Sequence, residues 1–558
     1  MTTPIYQIAS DYIDGLAALD PISATGIGVP GHDAEMTDFS PAGYEAQSML
    51  RQTTLRLLAE APVTSERDRI AKEGMEEVLT LREELLEAGD HYRLSGFRNA
   101  TSLIRMSFDL MPRETEQDWQ TIATRLGLVA KGVGSYRTTL EEGLRKGART
   151  ARRQVEQAIR QASTYAGSEG APSFFAGLIE AFDQSSTGSP ALRADLVRAA
   201  EAAAAAFAGF SSYLAEKFMD HAVERDAVGR DLYQLSSRVY NGIELDLQET
   251  YAWGWDELHR IEHEMRRTCA KILPGASIEE TKHFLETDPG RAIDGVEEFR
   301  QWMQDTQDRT IAELDGVHFD IPAPLRRIEA MIAPPGGALA MYYTGPSEDF
   351  SRPGRTWYPT GGKTRFPLWG EVSIAYHEGV PGHHFERATA KYLAGELSRF
   401  QRLAGGTSGY VEGWALYAER LMGELGYLEN PDYYLGMLRA QAMRAVRVIV
   451  DIGMHLELVI PAGEDFHPGE TWNADLGQEF CLARSQFPPD FMQSEVVRYL
   501  ATPGQAISYK VGERCWLEAR EASKRRQGES FSLKDWHRAA LNLGPMGLAQ
   551  MQRELARV

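Results

Sequence analysis

The segment from Tyr376 to Glu386 constrains the fold of this chain more than any other. It carries three histidines and two glutamates in eleven positions, and a Pro-Gly pair interrupts it. Pro381 cannot donate a backbone hydrogen bond, and its ring crowds the carbonyl of His377 four residues earlier. Gly382 adds backbone freedom at the next position. The sequence therefore predicts a helix that is broken or distorted at Pro381-Gly382.

This break decides which histidines can act together. His377 and Glu378 form a His-Glu pair of the kind that opens the metal helix of many zinc hydrolases, where the imidazole holds the metal and the carboxylate activates a water molecule. On an ideal helix, positions i and i+6 lie about 240° apart and about 9 Å along the axis, so His383 reaches His377 only across a break. His384 is the alternative, because i+7 returns to nearly the same face about 10.5 Å along. We prefer His383.

A second motif offers a third ligand. After a glycine-rich loop, a new predicted helix carries Glu412 in its first turn and Glu419 two turns later on the same face. A carboxylate from a neighbouring helix is a natural zinc ligand beside two imidazoles. We therefore predict one zinc ion per chain at His377, His383 and Glu412, with Glu378 as the general base.

The two motifs resemble a bacterial family catalogued as domain of unknown function 885. His377–His384 and Glu412–Glu419 carry the resemblance, together with Asp451–His455, Pro503–Lys510 and the run Phe531–Leu555. That family is similar to helical zinc peptidases such as thimet oligopeptidase, angiotensin-converting enzyme and carboxypeptidase Taq, which have an unbroken His-Glu-x-x-His motif. The resemblance implies a mostly α-helical, two-lobed metallopeptidase-like fold with a small β-hairpin or sheet near the active-site cleft.

Further site residues follow from chemistry and from this resemblance. Glu419 and Glu386 are either partners that fix the imidazole tautomers or plain surface charges. In the related peptidases a tyrosine and a histidine outside the metal motif stabilise the oxyanion, and Tyr509 and His455 resemble them, with His537 as a further candidate. Arginine binds carboxylates through paired hydrogen bonds, so cations and tyrosines in and after the hairpin are candidates for peptide binding. These are Tyr342, Tyr343, Arg352, Arg355, Arg447 and Lys510.

Composition narrows the class of protein and its partners. The formal net charge of −21 disfavours nucleic acid and anionic membranes as partners. The three cysteines show neither a disulfide framework nor a thiolate metal site, which together with the lack of a signal-like N-terminus predicts a cytoplasmic protein. We expect a monomer or homodimer.

The helical pattern is strong along most of the chain. Ser65 is a predicted N-cap, and Asp231–Ile272 reads as one long helix. Between residues 320 and 370, proline and glycine become frequent and separate short segments. Two short apolar runs in this stretch predict strands, Ala338–Tyr343 and Thr356–Tyr358. We place an N-terminal helical lobe at 1–330 and the metal-site lobe at 331–558.

The combined prediction is a zinc-dependent peptidase that hydrolyses short peptides. One alternative is another zinc-dependent amide or ester hydrolase that uses the same site. The other is a helical binding or scaffold protein whose metal site is structural or degenerate. Glu378 favours an enzyme, because a structural site does not need a general base.

Overall fold

Helices make up most of the protein, as the sequence predicts. The computed structural model describes residues 3–167, 170–185, 187–333 and 341–558. These residues form two compact units, Met1–Ala227 with Leu500–Thr502 and Val228–Tyr499 with Pro503–Val558. The boundary that the sequence suggests at 330 falls inside the second unit, which also contains the predicted metal ligands.

The first unit is a helical bundle around an aliphatic and aromatic core. Ser65 caps one of its helices as predicted, with its hydroxyl oxygen accepting the backbone N–H of Asp68 at 3.1 Å. Phe175 and Phe207 pack edge to face at 5.2 Å between ring centroids in the core. The helices are α1 (Pro4–Leu19), α2 (Pro21–Ile27), α3 (Pro41–Glu60), α4 (Glu66–Glu87), α5 (Ala100–Leu110), α6 (Glu116–Gly127), α7 (Val129–Arg145), α8 (Arg152–Ala166), α9 (Phe174–Ser185) and α10 (Pro190–Tyr213).

The second unit combines helices with two small sheets. Its helices are α11 (Arg230–Asn241), α12 (Leu247–Ile272), α13 (Ile278–Thr287), α14 (Val296–Leu314), α15 (Glu371–Glu378), α16 (His383–Tyr392), α17 (Arg399–Leu403), α18 (Ser408–Glu424), α19 (Pro431–Leu456), α20 (Ala474–Arg484), α21 (Pro489–Ala501), α22 (Ser508–Gln527), α23 (Leu533–Asn542) and α24 (Leu548–Leu555). Its strands are β1 (Ala292–Asp294), β2 (Ile328–Ile332), β3 (Tyr342–Thr344), β4 (Gly354–Tyr358) and β5 (Arg365–Pro367).

One predicted helix is divided in two. The segment Asp231–Ile272 is interrupted between α11 and α12, so its prediction as one helix is wrong. Gly242 ends α11 in a left-handed conformation with φ of 61°, and the side-chain amide of the buried Asn241 donates to the carbonyl oxygen of Ser237. Asp246 then caps α12 by accepting the backbone N–H of Glu249 at 3.0 Å. A glycine C-cap followed by an aspartate N-cap thus produces the interruption.

The predicted strands belong to a three-stranded sheet with the order β2-β4-β3. β4 pairs antiparallel with β3, which the sequence predicts in part, and parallel with β2, which it does not predict. The start of the predicted strand at Ala338 lies outside the described residues. On the face of the sheet next to α14, the side-chain amide of Gln307 donates hydrogen bonds to the hydroxyl oxygens of Thr356 and Tyr358 at 2.6 and 2.9 Å. This contact joins the sheet to the helical part of the unit.

Helix α19 runs through the interior of the second unit. Nearly every residue from Leu435 to His455 is buried, so the helix is covered on all sides rather than along one stripe. It packs along α12 and also contacts α15. None of the described helices combines the length and the apolar character that a bilayer crossing requires.

Helices α18 and α22 approach each other through glycine. A Cβ atom on Gly413 would lie 2.4 Å from the backbone of Gly512, and one on Gly512 would lie 2.0 Å from the carbonyl oxygen of Gly409. No side chain fits at this crossing without moving a backbone. The contact holds Glu412 of α18 and Tyr509 of α22 in the same part of the unit.

We expect Gly413→Ala to lower the free energy of unfolding by about 1–3 kcal/mol or more, because the new methyl group can be accommodated only if the two helices separate. Urea or thermal denaturation measures the change. Gly134→Ala is the matched control: it lies in α7 with no heavy atom within 4 Å of the added Cβ, and alanine favours helix by up to about 1 kcal/mol. Equal stability of the two variants would show that the crossing tolerates a side chain.

Candidate metal centre

The predicted break in the metal helix is present. α15 ends at Glu378 and α16 begins at His383, and the Val380–Pro381 peptide bond between them is cis. A Cβ at position 382 would lie 2.0 Å from the carbonyl oxygen of His377, so only glycine fits there. The indole N–H of Trp414 donates to the carbonyl oxygen of Pro381 at 2.8 Å, which ties the turn to α18. The turn therefore replaces a straight helix and redirects α16.

The turn brings the two histidines and the carboxylate of α18 together. The Oε2 atom of Glu412 lies 3.5 Å from Nε2 of His377 and 3.4 Å from Nε2 of His383. One donor atom from each residue lies within 4.8 Å of the others. The rings of His377 and His383 meet nearly at right angles, with centroids 4.7 Å apart. The three predicted ligands thus converge on one point.

The spacing of these atoms fits a tetrahedral ion. Zinc–ligand distances of about 2.0–2.2 Å place neighbouring ligand atoms roughly 3.3–3.6 Å apart. Both distances from Glu412 fall in this range, whereas charge-assisted hydrogen bonds are about 2.7–2.9 Å long. Among the described residues, the buried Oε2 atom of Glu412 has no hydrogen-bond partner. The donor set therefore fits a divalent cation better than it fits a closed hydrogen-bond network.

Glu419 holds His377 in place, one of the two roles that the sequence left open. Its Oε1 atom lies 2.7 Å from Nδ1 of His377, and its other oxygen accepts the hydroxyl of Ser373. Burial alone would raise the pKa of Glu419, but the hydrogen bond from His377 and the charge of Arg444 outweigh it and lower the pKa. The ionised carboxylate accepts Nδ1–H and leaves Nε2 to face Glu412. A carboxylate that orients a metal-binding imidazole in this way also raises its basicity.

His384 does not take part in the cluster. The carbonyl oxygen of Leu325 can only accept, so Nε2 of His384 donates to it at 2.9 Å. Burial lowers the pKa of His384 to about 4, so the ring is neutral and Nδ1 accepts the hydroxyl of Tyr343 at 2.9 Å. Both ring nitrogens are occupied by protein atoms. The geometry thus favours His383 over His384 as the second ligand.

Glu378 lies beside the cluster and is not engaged elsewhere. It directly follows His377 at the end of α15 and is mostly buried. It makes no hydrogen bond to any described residue. Burial raises the pKa of Glu378 from its ordinary value, against the nearby histidines, whose positive charge would lower it. A carboxylate with a raised pKa is suited to take up and release a proton.

Tyr509 also faces the cluster. Its ring stacks on that of His377 at 6.5 Å between centroids and packs against the guanidinium of Arg447 at 4.5 Å. Its hydroxyl has no hydrogen-bond partner in the described part of the chain. Burial, followed by the charge of Glu412, raises the pKa of Tyr509, so the phenol keeps its proton. It is available as a hydrogen-bond donor.

The structure does not bring His455 or His537 to the site. His455 lies three turns beyond Arg444 on α19, roughly 16 Å along the axis, with Nε2 directed at the carbonyl oxygen of Tyr499. His537 is buried, accepts or donates a hydrogen bond with the Tyr417 hydroxyl at 2.7 Å and stacks on an aromatic core. Both are core histidines. Position in a motif could not reveal which way either helix faces.

Several predicted substrate-binding cations are already paired. Lys510 is buried, donates to Glu257 at 2.7 Å and also contacts Glu513. Arg447 donates to Glu495 at 2.6 Å, and Arg355 donates to Glu329 at 3.0 Å. Structural ion pairs thus account for these three cations.

The other predicted substrate-binding residues lie around β3 or just beyond it. Tyr342 stacks on Trp357 at 5.9 Å between centroids, and Tyr343 contacts His384. Arg352 is exposed in the loop before β4. Glu386, the other proposed imidazole partner, instead lies 3.4 Å from Arg387.

Sequence reasoning missed the residues that support the cluster from a distance. Ser373 hydrogen-bonds the oxygen of Glu419 that does not face His377, and Trp414 holds the carbonyl of Pro381. Serine and tryptophan carry no metal-binding signal. Only the position of Ser373 one turn before His377 on the same helix face offered a hint.

The fold and site define a mostly helical protein in which two imidazoles and a carboxylate, drawn from three neighbouring helices, form a candidate metal-ligand cluster. The chain belongs to the family described as bacterial protein of unknown function (DUF885), whose sequence profile matches residues 21–555. The family resemblance expected from the motifs is therefore confirmed. No curated protein matches the chain significantly.

Two solved structures share this fold, and a third is less similar. A protein from Colwellia psychrerythraea described as a "putative lipoprotein" is 21% identical, with a TM-score of 0.84 over 100% of this chain and 99% of its own. A "putative lipoprotein of unknown function" from Shewanella oneidensis is 16% identical, with a TM-score of 0.72 over 99% of each chain. A carboxypeptidase from Pyrococcus furiosus is 12% identical, with a TM-score of 0.41 over 100% of this chain and 99% of its own.

The predicted cytoplasmic location is wrong. The finding that overturns it is that two proteins sharing the fold along the whole chain are each described as a "putative lipoprotein". The prediction relied partly on cysteine content, but Cys269, Cys481 and Cys515 are all buried and unpaired. Thiols shielded from solvent survive in oxidising as well as reducing compartments, so they do not report the location.

We expect the purified protein to bind about one zinc ion per chain and Glu412→Ala to bind far less, because the variant keeps only two of the three ligands. Metal content after dialysis against zinc measures this. The control is Glu424→Gln on the same helix, whose carboxylate pairs with Arg520 instead. If Glu412→Ala retains the full metal content, Glu412 is not a ligand.

Glu419→Gln should weaken zinc binding roughly 10- to 100-fold without removing a ligand, because the neutral amide orients His377 less well. Competition with a chromogenic chelator gives the affinity. Ser373→Ala, which removes only the hydrogen bond to the far oxygen, should have a smaller effect. Unchanged affinity in Glu419→Gln would mean that His377 needs no partner to bind the ion.

Proposed function

We propose that the protein is a zinc-dependent peptidase that hydrolyses short peptides. The observation that carries the proposal is the combination of the His377, His383 and Glu412 cluster with an unengaged, buried Glu378 beside it. Two imidazoles and one carboxylate are the ligand set of many catalytic zinc sites. A site with only a structural role does not need a free carboxylate next to its ligands.

The chemistry that a bound ion would supply is common to catalytic zinc sites. When bound, a zinc ion polarises a carbonyl group and lowers the pKa of a water molecule. Imidazole and carboxylate ligands suit zinc, and the absence of cysteine among them excludes a thiolate site. The chain's own residues carry the remaining steps.

Glu378 is the proposed general base and acid. Its carboxylate takes the proton of the attacking water and later delivers it to the leaving amine. The raised pKa of Glu378 brings proton uptake closer to neutral pH than for an exposed glutamate. Tyr509 donates its hydroxyl proton in a hydrogen bond to the oxygen that becomes negatively charged.

The sheet next to the cluster supports a peptide as the substrate. β3 is one of the two outer strands of the order β2-β4-β3, and Tyr343 on this strand contacts His384 on α16. An outer strand can pair with an extended peptide through backbone hydrogen bonds. This placement favours a peptide over a small ester or amide.

Glu378→Gln should keep its zinc and lose turnover by about 10²–10⁴-fold, mainly in kcat, since general-base help is lost while the ligands remain. Tyr509→Phe should lose less, roughly 10²–10³-fold at most. The assay is hydrolysis of a pool of random short peptides followed by mass spectrometry, with zinc content measured in parallel.

Two outcomes would redirect the assignment. Full activity in zinc-loaded Glu378→Gln removes the proposed mechanism and favours a scaffold with a structural metal. Inactivity toward all peptides, together with Glu378-dependent cleavage of model esters or other amides, assigns the same site to a different hydrolase. Lys524→Gln, an exposed change on α22, controls for general effects of substitution.

A further inference from the structure

Two cationic side chains follow the metal-ligand cluster along helix α16. Arg387 and Lys391 follow His383 at positions i+4 and i+8, so the three side chains lie on one face of the helix. At 1.5 Å per residue, Arg387 lies about 6 Å and Lys391 about 12 Å from His383 along the axis. Beyond His383, the second proposed ligand, this face of the helix therefore carries two cations.

The loop between β3 and β4 adds another cation to these two. Arg352 donates to the carbonyl oxygen of Gly345 at 2.9 Å, and Lys391 donates to that of Pro346 at 2.6 Å. A Cβ on Gly345 would lie 3.5 Å from Nζ of Lys391 and 3.9 Å from the hydroxyl of Tyr343. The loop therefore gathers both cations and Tyr343 around Gly345.

Tyr343 connects this group of cations to His384 on α16. Its hydroxyl donates to His384, the residue next to His383. Burial raises the pKa of Tyr343, and the charges of Arg387, Glu386, Arg352 and Glu378 also act on it. The hydroxyl thus lies beside the loop at Gly345 and beside His384. The cationic group thus lies next to the residue that follows the second proposed ligand.

These cations are incompletely neutralised. Nearby Arg402 is paired with Glu348. No described carboxylate forms an ion pair with Arg352 or Lys391, although the net charge of the chain is −21. Burial lowers the pKa of Lys391 to about 8, with Arg352 and other neighbouring cations contributing. Like charges held together in this way are stabilised when an anion binds between them.

Arg387 has one carboxylate neighbour and remains accessible. Its Nε atom lies 3.4 Å from Glu386, and its side chain is 41% exposed. Glu386 itself is buried, and burial raises its pKa. The outer part of the Arg387 guanidinium is therefore free to bind a ligand.

We propose that Arg352, Arg387 and Lys391 form a carboxylate-binding subsite for the substrate of the adjacent metal centre. The proposal rests on the proposed peptidase function for the identity of that substrate. The carboxylate is either the C-terminus of the peptide or an acidic side chain. An extended peptide advances about 3.3–3.6 Å per residue, so roughly two to four residues span the distance from His383 to the subsite. This reach suits short peptides.

Binding tests the subsite apart from catalysis. Zinc-loaded Glu378→Gln is dialysed against three pools of random tetrapeptides: free acids with neutral last residues, the same sequences as C-terminal amides, and amides that end in glutamate. Bound fractions are read by mass spectrometry. We expect at least one carboxylate-bearing pool to bind roughly 10- to 100-fold more tightly than the neutral amides, as for a hydrogen bond to a charged group. The preferred pool identifies the source of the carboxylate.

A second substitution ties the preference to the subsite. Adding Lys391→Gln, which can still donate to Pro346, should remove most of the preference and leave binding of the neutral amides unchanged. Lys391→Arg keeps the charge and should keep the preference, and Lys524→Gln, an exposed change on α22, is the control. Equal binding of all three pools, or a preference that survives both Lys391→Gln and Arg387→Gln, overturns the proposal.

Activity of the unsubstituted protein separates this proposal from the preceding one. If it cleaves all three pools at equal rates, the subsite is overturned while the peptidase function stands. If it cleaves no pool but Lys391-dependent binding of carboxylates is present, the subsite stands and the peptidase function fails.

Discussion

The turn between α15 and α16 is the constraint on which the candidate site depends. A straight helix would carry His383 to the far side from His377, and the turn at 379–382 instead brings both Nε2 atoms to Glu412. Glycine is required at position 382 because the backbone of the preceding helix occupies the place of a side chain. The hydrogen bond from Trp414 then fixes the turn against α18. Backbone geometry, rather than a standard motif spacing, creates the ligand set.

The sequence predicted this turn because its cause is local. Proline and glycine act on the backbone within one helical turn, so their effect at 381 and 382 can be derived without knowing the fold. The mostly helical class follows in the same way from periodicity. Glu412 was predictable because a carboxylate near a glycine-rich loop and a His-Glu pair form a recognisable chemical set.

The remaining features depend on contacts between distant parts of the chain. Lys510 is a buried partner of Glu257, far away in sequence, and no pattern around Lys510 shows this. His455 follows a recognisable motif, but only packing decides that it faces Tyr499. The parallel strand β2 was missed because its pairing with β4 depends on a connection that the sequence does not specify. Long-range packing, and not local propensity, limits what the sequence can reveal.

The interrupted helix has a mechanical consequence for an ion bound at the cluster. In peptidases with an unbroken His-Glu-x-x-His motif, two ligands lie on one continuous helix. Here His377, His383 and Glu412 belong to α15, α16 and α18, so a bound ion would cross-link three separate helices. Because a preformed site rarely exists in an unfolded chain, the binding free energy of the ion would add to the free energy of folding. The metal would therefore brace the architecture around the turn in addition to supplying chemistry.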